Sequence, residues 1–298
     1  MRRLDARNLP CERCAPKRLR VPMACPLRGE AFMEDAPAVE VHGLSRRYGE
    51  LLALDRLDLS IGAGELFGLL GSNGAGKTTT LKILTTLLLP SAGTAWVAGF
   101  DVVHAPREVR RRIGYVPQLV SADAMLTGRE NLVLSARLHG LRRAERESRI
   151  AEALQLMDLT SVAGALVRSY SGGMIRRLEI AQAMLHRPQV LFLDEPTVGL
   201  DPVARHVVWD RLRELRVQFG TSILLTTHDM EEADVLCSRI AILHRGRVTV
   251  QGVPAELKAH TGSEATLDDV FIQATGAVID RGAYRDVART RRTAQRLG

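Results

Sequence analysis

Gly71-Ser72-Asn73-Gly74-Ala75-Gly76-Lys77-Thr78 sets three glycines, a lysine and a hydroxyl in the pattern G-x-x-x-x-G-K-[ST], with Thr79 immediately after. The chemistry this spacing allows is that of polyphosphate. Glycines at 71, 74 and 76 let the backbone N–H groups of the loop, including those of Ser72, Asn73 and Ala75, curl around phosphate oxygens at a helix N-terminus. Lys77 reaches the terminal phosphates, and the Thr78 hydroxyl can ligate Mg2+. An apolar run, Glu65-Leu66-Phe67-Gly68-Leu69-Leu70, leads into the loop, and Leu81, Ile83 and Leu84 follow at helical spacing. That is the strand, loop and helix order the motif needs.

A nucleotide site of this kind needs a carboxylate for its metal. Gln189-Val190-Leu191-Phe192-Leu193-Asp194-Glu195-Pro196 reads as a buried apolar strand that ends in two acids. Asp194 is placed to hold Mg2+, directly or through water, and Glu195 to polarise the attacking water as general base. A third feature, Ser169-Tyr170-Ser171-Gly172-Gly173-Met174, opens an amphipathic helix through Leu178, Ala181 and Leu185, with Ser171 placed to cap it. A serine and two bare glycines at a helix start make a second anion site. One chain cannot easily bring that site, 23 residues before Asp194, to the far side of the same nucleotide, whereas a second molecule can.

The elements that must position these groups follow from periodicity. After residues 1–36, which show no hydrophobic period and read as a disordered basic extension, alternating Val39, Val41 and Leu44 begin a strand. Residues 124–186 carry helical periods, Leu132, Leu134, Leu138 and Leu141 and then Ile150, Ala153, Leu154 and Met157, and read as an all-helical insert. Three short apolar strands follow, Val190 to Leu193, Ile223 to Leu225 and Ile240 to Leu243, separated by helical stretches. Alternation at that spacing means an α/β fold with a mainly parallel sheet. The expected cassette spans 37–277, and 278–298 is a basic tail.

With these motifs in this order, residues 38–277 resemble the ATP-binding-cassette (ABC) family, specifically the soluble ATPase subunits of transporters. The resemblance implies a P-loop NTPase cassette with a mainly parallel core sheet, an antiparallel β subdomain and an all-helical subdomain. It also implies ATP and Mg2+ as cofactors, and a second cassette, identical or paralogous, whose Ser171, Gly172 and Gly173 act in trans. Tyr48 matches the aromatic that stacks on adenine, and Gln118 the glutamine that contacts Mg2+ or water and reports to the membrane partner. His228 matches the histidine that touches the terminal phosphate and the general base. Asp201, in Gly199-Leu200-Asp201-Pro202, matches the loop that crosses the dimer interface; it also reads as a helix cap with Pro202 at the first helical position, and both can hold. Asp229-Met230-Glu231-Glu232 reads as a capping box. Tyr170-Ser171-Gly172-Gly173-Met174 and Thr266-Leu267-Asp268-Asp269-Val270-Phe271 are similar to the drug-resistance exporter branch, of the daunorubicin/doxorubicin type, although Ile175 stands where that branch commonly has a basic residue.

Composition narrows the classes. The formal net charge of +7 looks like a nucleic-acid signal, but residues 1–32 hold eight basic and three acidic residues and residues 278–298 six and two, which leaves 33–277 at −2. The longest relevant uncharged run, Ile83 to Phe100, is broken by Pro90-Ser91-Ala92-Gly93 and is too short to span a bilayer. Asp5 and Glu12 stand where an apolar secretory core would lie, so no export signal is expected. Cys11, Cys14 and Cys25 lack a fourth ligand nearby, which argues against a zinc site. The resemblance to transporter subunits, with no spanning run expected in the sequence, implies a subunit on the cytoplasmic face of the cell membrane, peripheral through a separate integral-membrane permease. A soluble ABC-type ATPase acting on nucleic acid or ribosomes is the alternative, in which the basic tails are binding arms. That class usually carries two cassettes or a long coiled-coil insertion, and this sequence has neither.

Overall fold

A computed structural model describes residues 36–276. The readings placed on the tails, the three N-terminal cysteines and the basic arm 278–298 included, lie outside those residues. The chain runs β1 (Val39–Tyr48), β2 (Leu51–Ile61), β3 (Leu66–Leu70), α1 (Lys77–Leu84), β4 (Ala92–Val97), β5 (Phe100–Asp101), α2 (Pro106–Arg112), β6 (Ile113–Val116), α3 (Gly128–Leu138), α4 (Arg143–Leu156), α5 (Gly172–Met184), β7 (Val190–Asp194), α6 (Pro202–Phe219), β8 (Ser222–Thr227), α7 (Met230–Leu236), β9 (Arg239–His244), β10 (Arg247–Gly252), α8 (Pro254–Thr261) and α9 (Leu267–Thr275).

Two sheets form. One is antiparallel in the order β2-β1-β4-β5, and the other has the order β10-β9-β3-β8-β7-β6. Within the second, β9, β3, β8, β7 and β6 are parallel and β10 pairs antiparallel at the edge. The apolar runs of β3 and β7 are buried at every position because a parallel strand is covered on both faces. Leu66, Leu70, Leu191 and Leu193 face a core shared with α3 to α6, while Phe67, Leu69 and Phe192 face α1 and the antiparallel sheet. The central sheet is thus the middle layer, and helices α3, α4 and α5 fill most of residues 128–184.

Strands β6 and β10 had no apolar run to announce them. β6 is four residues wedged between an arginine-rich helix and Pro117, and β10 is an edge strand with only alternate residues half-buried. The expected capping box at Asp229 does not close. Asp229 does accept from the backbone N–H groups of Glu231 and Glu232, but its own N–H goes to Thr227 Oγ1 at 2.9 Å. The Glu232 carboxylate points inward instead, accepting from Thr197 Oγ1 at 2.7 Å and Trp209 Nε1 at 3.1 Å. Two buried donors that need an acceptor outcompete a surface turn.

β6 matters because it delivers Gln118, and Gly114 is what lets it lie against α5. A Cβ at Gly114 would sit 2.5 Å from the Ala183 carbonyl oxygen and 2.9 Å from Leu191 Cδ1. Gly114→Ala is expected to destabilise the fold by about 1–3 kcal/mol through overpacking, read as a lower urea midpoint with an unchanged slope.

Candidate active site

The phosphate loop runs from the end of β3 to the start of α1, and two of its glycines are required by close approach. A Cβ at Gly71 would meet the Leu243 carbonyl oxygen at 2.6 Å. Gly76 has φ +113, and a Cβ there would lie 2.7 Å from Leu54 Cδ2 and 2.8 Å from the Ala53 carbonyl oxygen. Lys77 is 5% exposed. Its ammonium folds back across the loop, donating to the Gly71 carbonyl at 2.7 Å and the Ser72 carbonyl at 3.3 Å.

Glu195 collects the other predicted groups. Its Oε1 lies 3.3 Å from Lys77 Nζ and 3.3 Å from His228 Nδ1, and its Oε2 accepts from Gln118 Nε2 at 3.2 Å. Three residues from three separate segments therefore meet on one buried carboxylate. Asp194 Oδ1 accepts from Thr78 Oγ1 at 3.3 Å and from Thr226 Oγ1 at 2.6 Å. Tyr48 stands at the end of β1 and lines the same cleft, with the Arg46 guanidinium 4.7 Å from its ring centroid. The cleft has a volume of about 610 Å3 and is lined by Tyr48, Ser72, Asn73, Gly74, Gly76, Lys77, Thr78, Thr79, Gln118, Glu195 and His228, among others.

Ser171, Gly172, Gly173 and Asp201 do not line it. Ser171 and Gly172 are exposed, Ser171 caps α5 by accepting from the Met174 N–H at 3.3 Å, and Asp201 caps α6 by accepting from the Ala204 N–H at 2.9 Å. Gly173 packs the two helix starts together, since a Cβ there would lie 2.7 Å from Ala204 Cβ.

Sequence reading missed three residues. Thr226 is the penultimate residue of β8, which lies between β3 and β7, and its hydroxyl both donates to Asp194 and accepts from the Glu195 N–H at 3.1 Å. Arg176, which no motif singled out, is buried behind Asp194 and Glu195. Glu232 is buried beside a smaller cavity that also touches Glu195 and His228; burial raises its carboxyl above the usual range despite its hydroxyl and indole partners. Tyr115, on β6, is pushed up to about 12 by burial and then by the neighbouring Asp194 charge. Only a buried hydroxyl inside an apolar strand could have flagged Thr226, and its partners cannot be inferred from spacing.

Glu195 also holds a left-handed backbone, φ +47. For a non-glycine residue that costs on the order of 1–3 kcal/mol and persists only where surrounding contacts enforce it. Here the Glu195 N–H is bound by both the carbonyl and the hydroxyl of Thr226, each at 3.1 Å.

A glycine loop that opens a helix at the end of a parallel strand, with a buried acid pair 3.3 Å from its lysine and threonine, defines a phosphate-loop nucleotide-binding ATPase. The ABC transporter family model matches residues 54–198. The chain is 48% identical over 239 residues to the daunorubicin resistance ATP-binding protein DrrA3 of Streptomyces coeruleorubidus, covering 80% of this chain and 75% of that one. It is 46% identical over 224 residues to the Nod factor export ATP-binding protein I of Ralstonia nicotianae, covering 75% and 70%. Among solved structures it is similar to an ATP-binding subunit of an ABC transporter, with TM-score 0.71 and 33% identity over 80% of this chain and 99% of that one. A dimeric post-hydrolysis ATP-binding cassette bound to ADP and Pi is also similar, with TM-score 0.65 and 27% identity over 72% and 98%. The chain belongs to the ABC transporter family, and it is an ATP-binding, ATP-hydrolysing subunit.

Thr226→Val keeps the shape and removes both hydroxyl bonds at the acid pair. Turnover of ATP is expected to fall about tenfold or more while the melting temperature moves little, measured by phosphate release and thermal denaturation on the same preparation.

Proposed function

We propose that this chain powers a membrane exporter of hydrophobic small molecules, working as one of two cassettes that close on two MgATP and are docked on a separate permease at the cytoplasmic face of the membrane. The observation that carries the hydrolytic part is the meeting of Lys77, Gln118 and His228 on Glu195. In this reading Glu195 takes the proton of the attacking water, whose oxygen bonds to the terminal phosphorus as the bond to the bridging oxygen of ADP breaks. Lys77 leaves the carboxylate and the loop carbonyls to meet the phosphates, and His228, 48% exposed, approaches the terminal phosphate from the open side of the cleft.

Thr78 and Asp194 offer oxygen donors 3.3 Å apart beside the lysine, a donor set that fits a hard divalent cation. With Gln118 they are the residues that would hold Mg2+, which neutralises phosphate charge when bound. Tyr48, at the mouth of the cleft, offers its ring to adenine.

Two surface features support the partners. Ser171 and Gly172 are exposed at the start of α5, free to meet nucleotide held by another cassette. Leu119 and Val120, directly after Gln118, are 82% and 65% exposed, an apolar pair suited to a protein partner beside the residue that senses the site. Among the described residues no helix is long and apolar enough to cross a membrane, so a membrane-spanning path must come from another part or another chain. The choice of hydrophobic cargo follows the relatives, one named for daunorubicin resistance and one for Nod factor export.

Glu195→Gln is expected to cut turnover by at least ~100-fold while leaving MgATP affinity intact, and to trap an ATP-dependent dimer on size exclusion; near-normal turnover would remove Glu195 from the role of base. Fractionation tests the partner: the chain should sediment with membranes and be released to the soluble fraction when its copurifying permease is deleted. Recovery with nucleic acid in a salt-sensitive manner would favour the soluble nucleic-acid ATPase instead.

A further inference from the structure

Arg176 lies five residues after Ser171, on the buried side of α5. A guanidinium has five N–H donors in a rigid planar fork, and here all five are used. Nε donates to the Pro196 carbonyl at 2.8 Å. Nη2 donates to the carbonyls of Asp194 at 2.9 Å and Glu195 at 3.2 Å. Nη1 donates to the Pro117 carbonyl at 2.7 Å and to Glu179 Oε2 at 3.2 Å. The other oxygen of Glu179 accepts from both the backbone N–H and the hydroxyl of Ser121. The residues held in this way bracket Gln118 on both sides and follow the acid pair directly.

We propose that Arg176 is a positioning residue for ATP hydrolysis. Its fork fixes the backbone of Asp194, Glu195 and Pro196 to the two ends of the Gln118 loop, and so enforces the left-handed turn that aims the Glu195 carboxylate. Because the same helix begins at exposed Ser171, any movement of the signature against a second cassette is carried to this chain's own acid pair through one rigid side chain. The inference rests on the reading of Glu195 and Gln118 given above.

The chemistry selects arginine. Four of the five acceptors are backbone carbonyls spread over two segments, and a planar fork can serve them at once, whereas the three donors of a lysine ammonium radiate from one atom. A residue needed only to neutralise Glu179 would tolerate lysine. None of these bonds goes to the loop 71–79, so nucleotide affinity and turnover should separate.

The test compares Arg176→Gln and Arg176→Lys in the full-length chain with MgATP, measuring affinity by calorimetry and turnover by phosphate release. Expected is a fall in kcat of about 10- to 100-fold in both variants, with the MgATP dissociation constant within about threefold of the unmodified chain. Adding Arg176→Gln to Glu195→Gln should change the residual turnover by less than about twofold, since the two act through one carboxylate. Full activity in the lysine variant, equal losses in affinity and kcat, or multiplicative effects in the double variant would each overturn the assignment. Failure of both single variants to fold, seen by circular dichroism, would also overturn it, making Arg176 a residue of core stability. Normal turnover in Glu195→Gln alone would instead remove the reading of the base on which the inference stands, whatever the Arg176 variants do.

Discussion

A carboxylate taken out of water must find donors, and the buried carboxylate of Glu195 finds a lysine, a glutamine and a histidine within 3.3 Å. Such a cluster adds little to folding stability, because the cost of stripping water from the charges cancels most of their attraction. What it does supply is a meeting point. Each of the three donors comes from a segment that also faces the phosphate cleft, so a change at any one of them is felt at the carboxylate. The strained backbone of Glu195 belongs to the same arrangement, since the bonds of its N–H to Thr226 and of its carbonyl to Arg176 hold a turn that the residue would not adopt unaided.

The sheet order explains why these groups meet. β8 lies between β3 and β7, so the carboxyl ends of three parallel strands open side by side. β3 gives the glycine loop, β7 gives Asp194 and Glu195, and β8 gives Thr226 and, just past its end, His228. β6 is the outer neighbour of β7 and brings Gln118 from that side. Ligands of parallel α/β sheets sit beyond the carboxyl ends of the strands, and here every polar group of the cleft except Tyr48 follows that rule. Tyr48 comes from the antiparallel sheet, which is packed against the other face of the core.

Helix α5 faces two ways. Its exposed start carries Ser171 and Gly172 outward, while its first full turns bury Arg176 and Glu179 against the acid pair and the Gln118 loop. A dimeric cassette that placed Ser171 against a partner's nucleotide would thereby load the same helix that braces its own Glu195. Most of that buried face is apolar, Leu178, Ile180, Ala181, Ala183 and Met184 among it, and the hydrogen bonds of fixed direction are concentrated at Arg176 and Glu179.

Much of the site was legible in the residues because motifs of contiguous sequence carry their own geometry. A glycine loop between an apolar run and a helix, two acids closing an apolar strand, and a serine before two glycines each impose local backbone shapes, and Ser171 and Asp201 cap the helices expected of them. The strands that lack an apolar run, β6 and β10, were not legible, since one is short and the other lies at an edge. Glu232 matched a local capping pattern and was claimed instead by the buried Thr197 and Trp209, an outcome set by residues 35 and 23 positions away. Arg176 shows the same limit: four bonds to the carbonyls of two distant segments leave no mark on the spacing around it. The sequence by itself determined the local frames, a glycine loop before a helix, two acids at a strand end and capped helix starts, because contiguous residues impose them. Only the tertiary structure decided which of them share a carboxylate, because those partners meet across a sheet whose order is not the order of the chain.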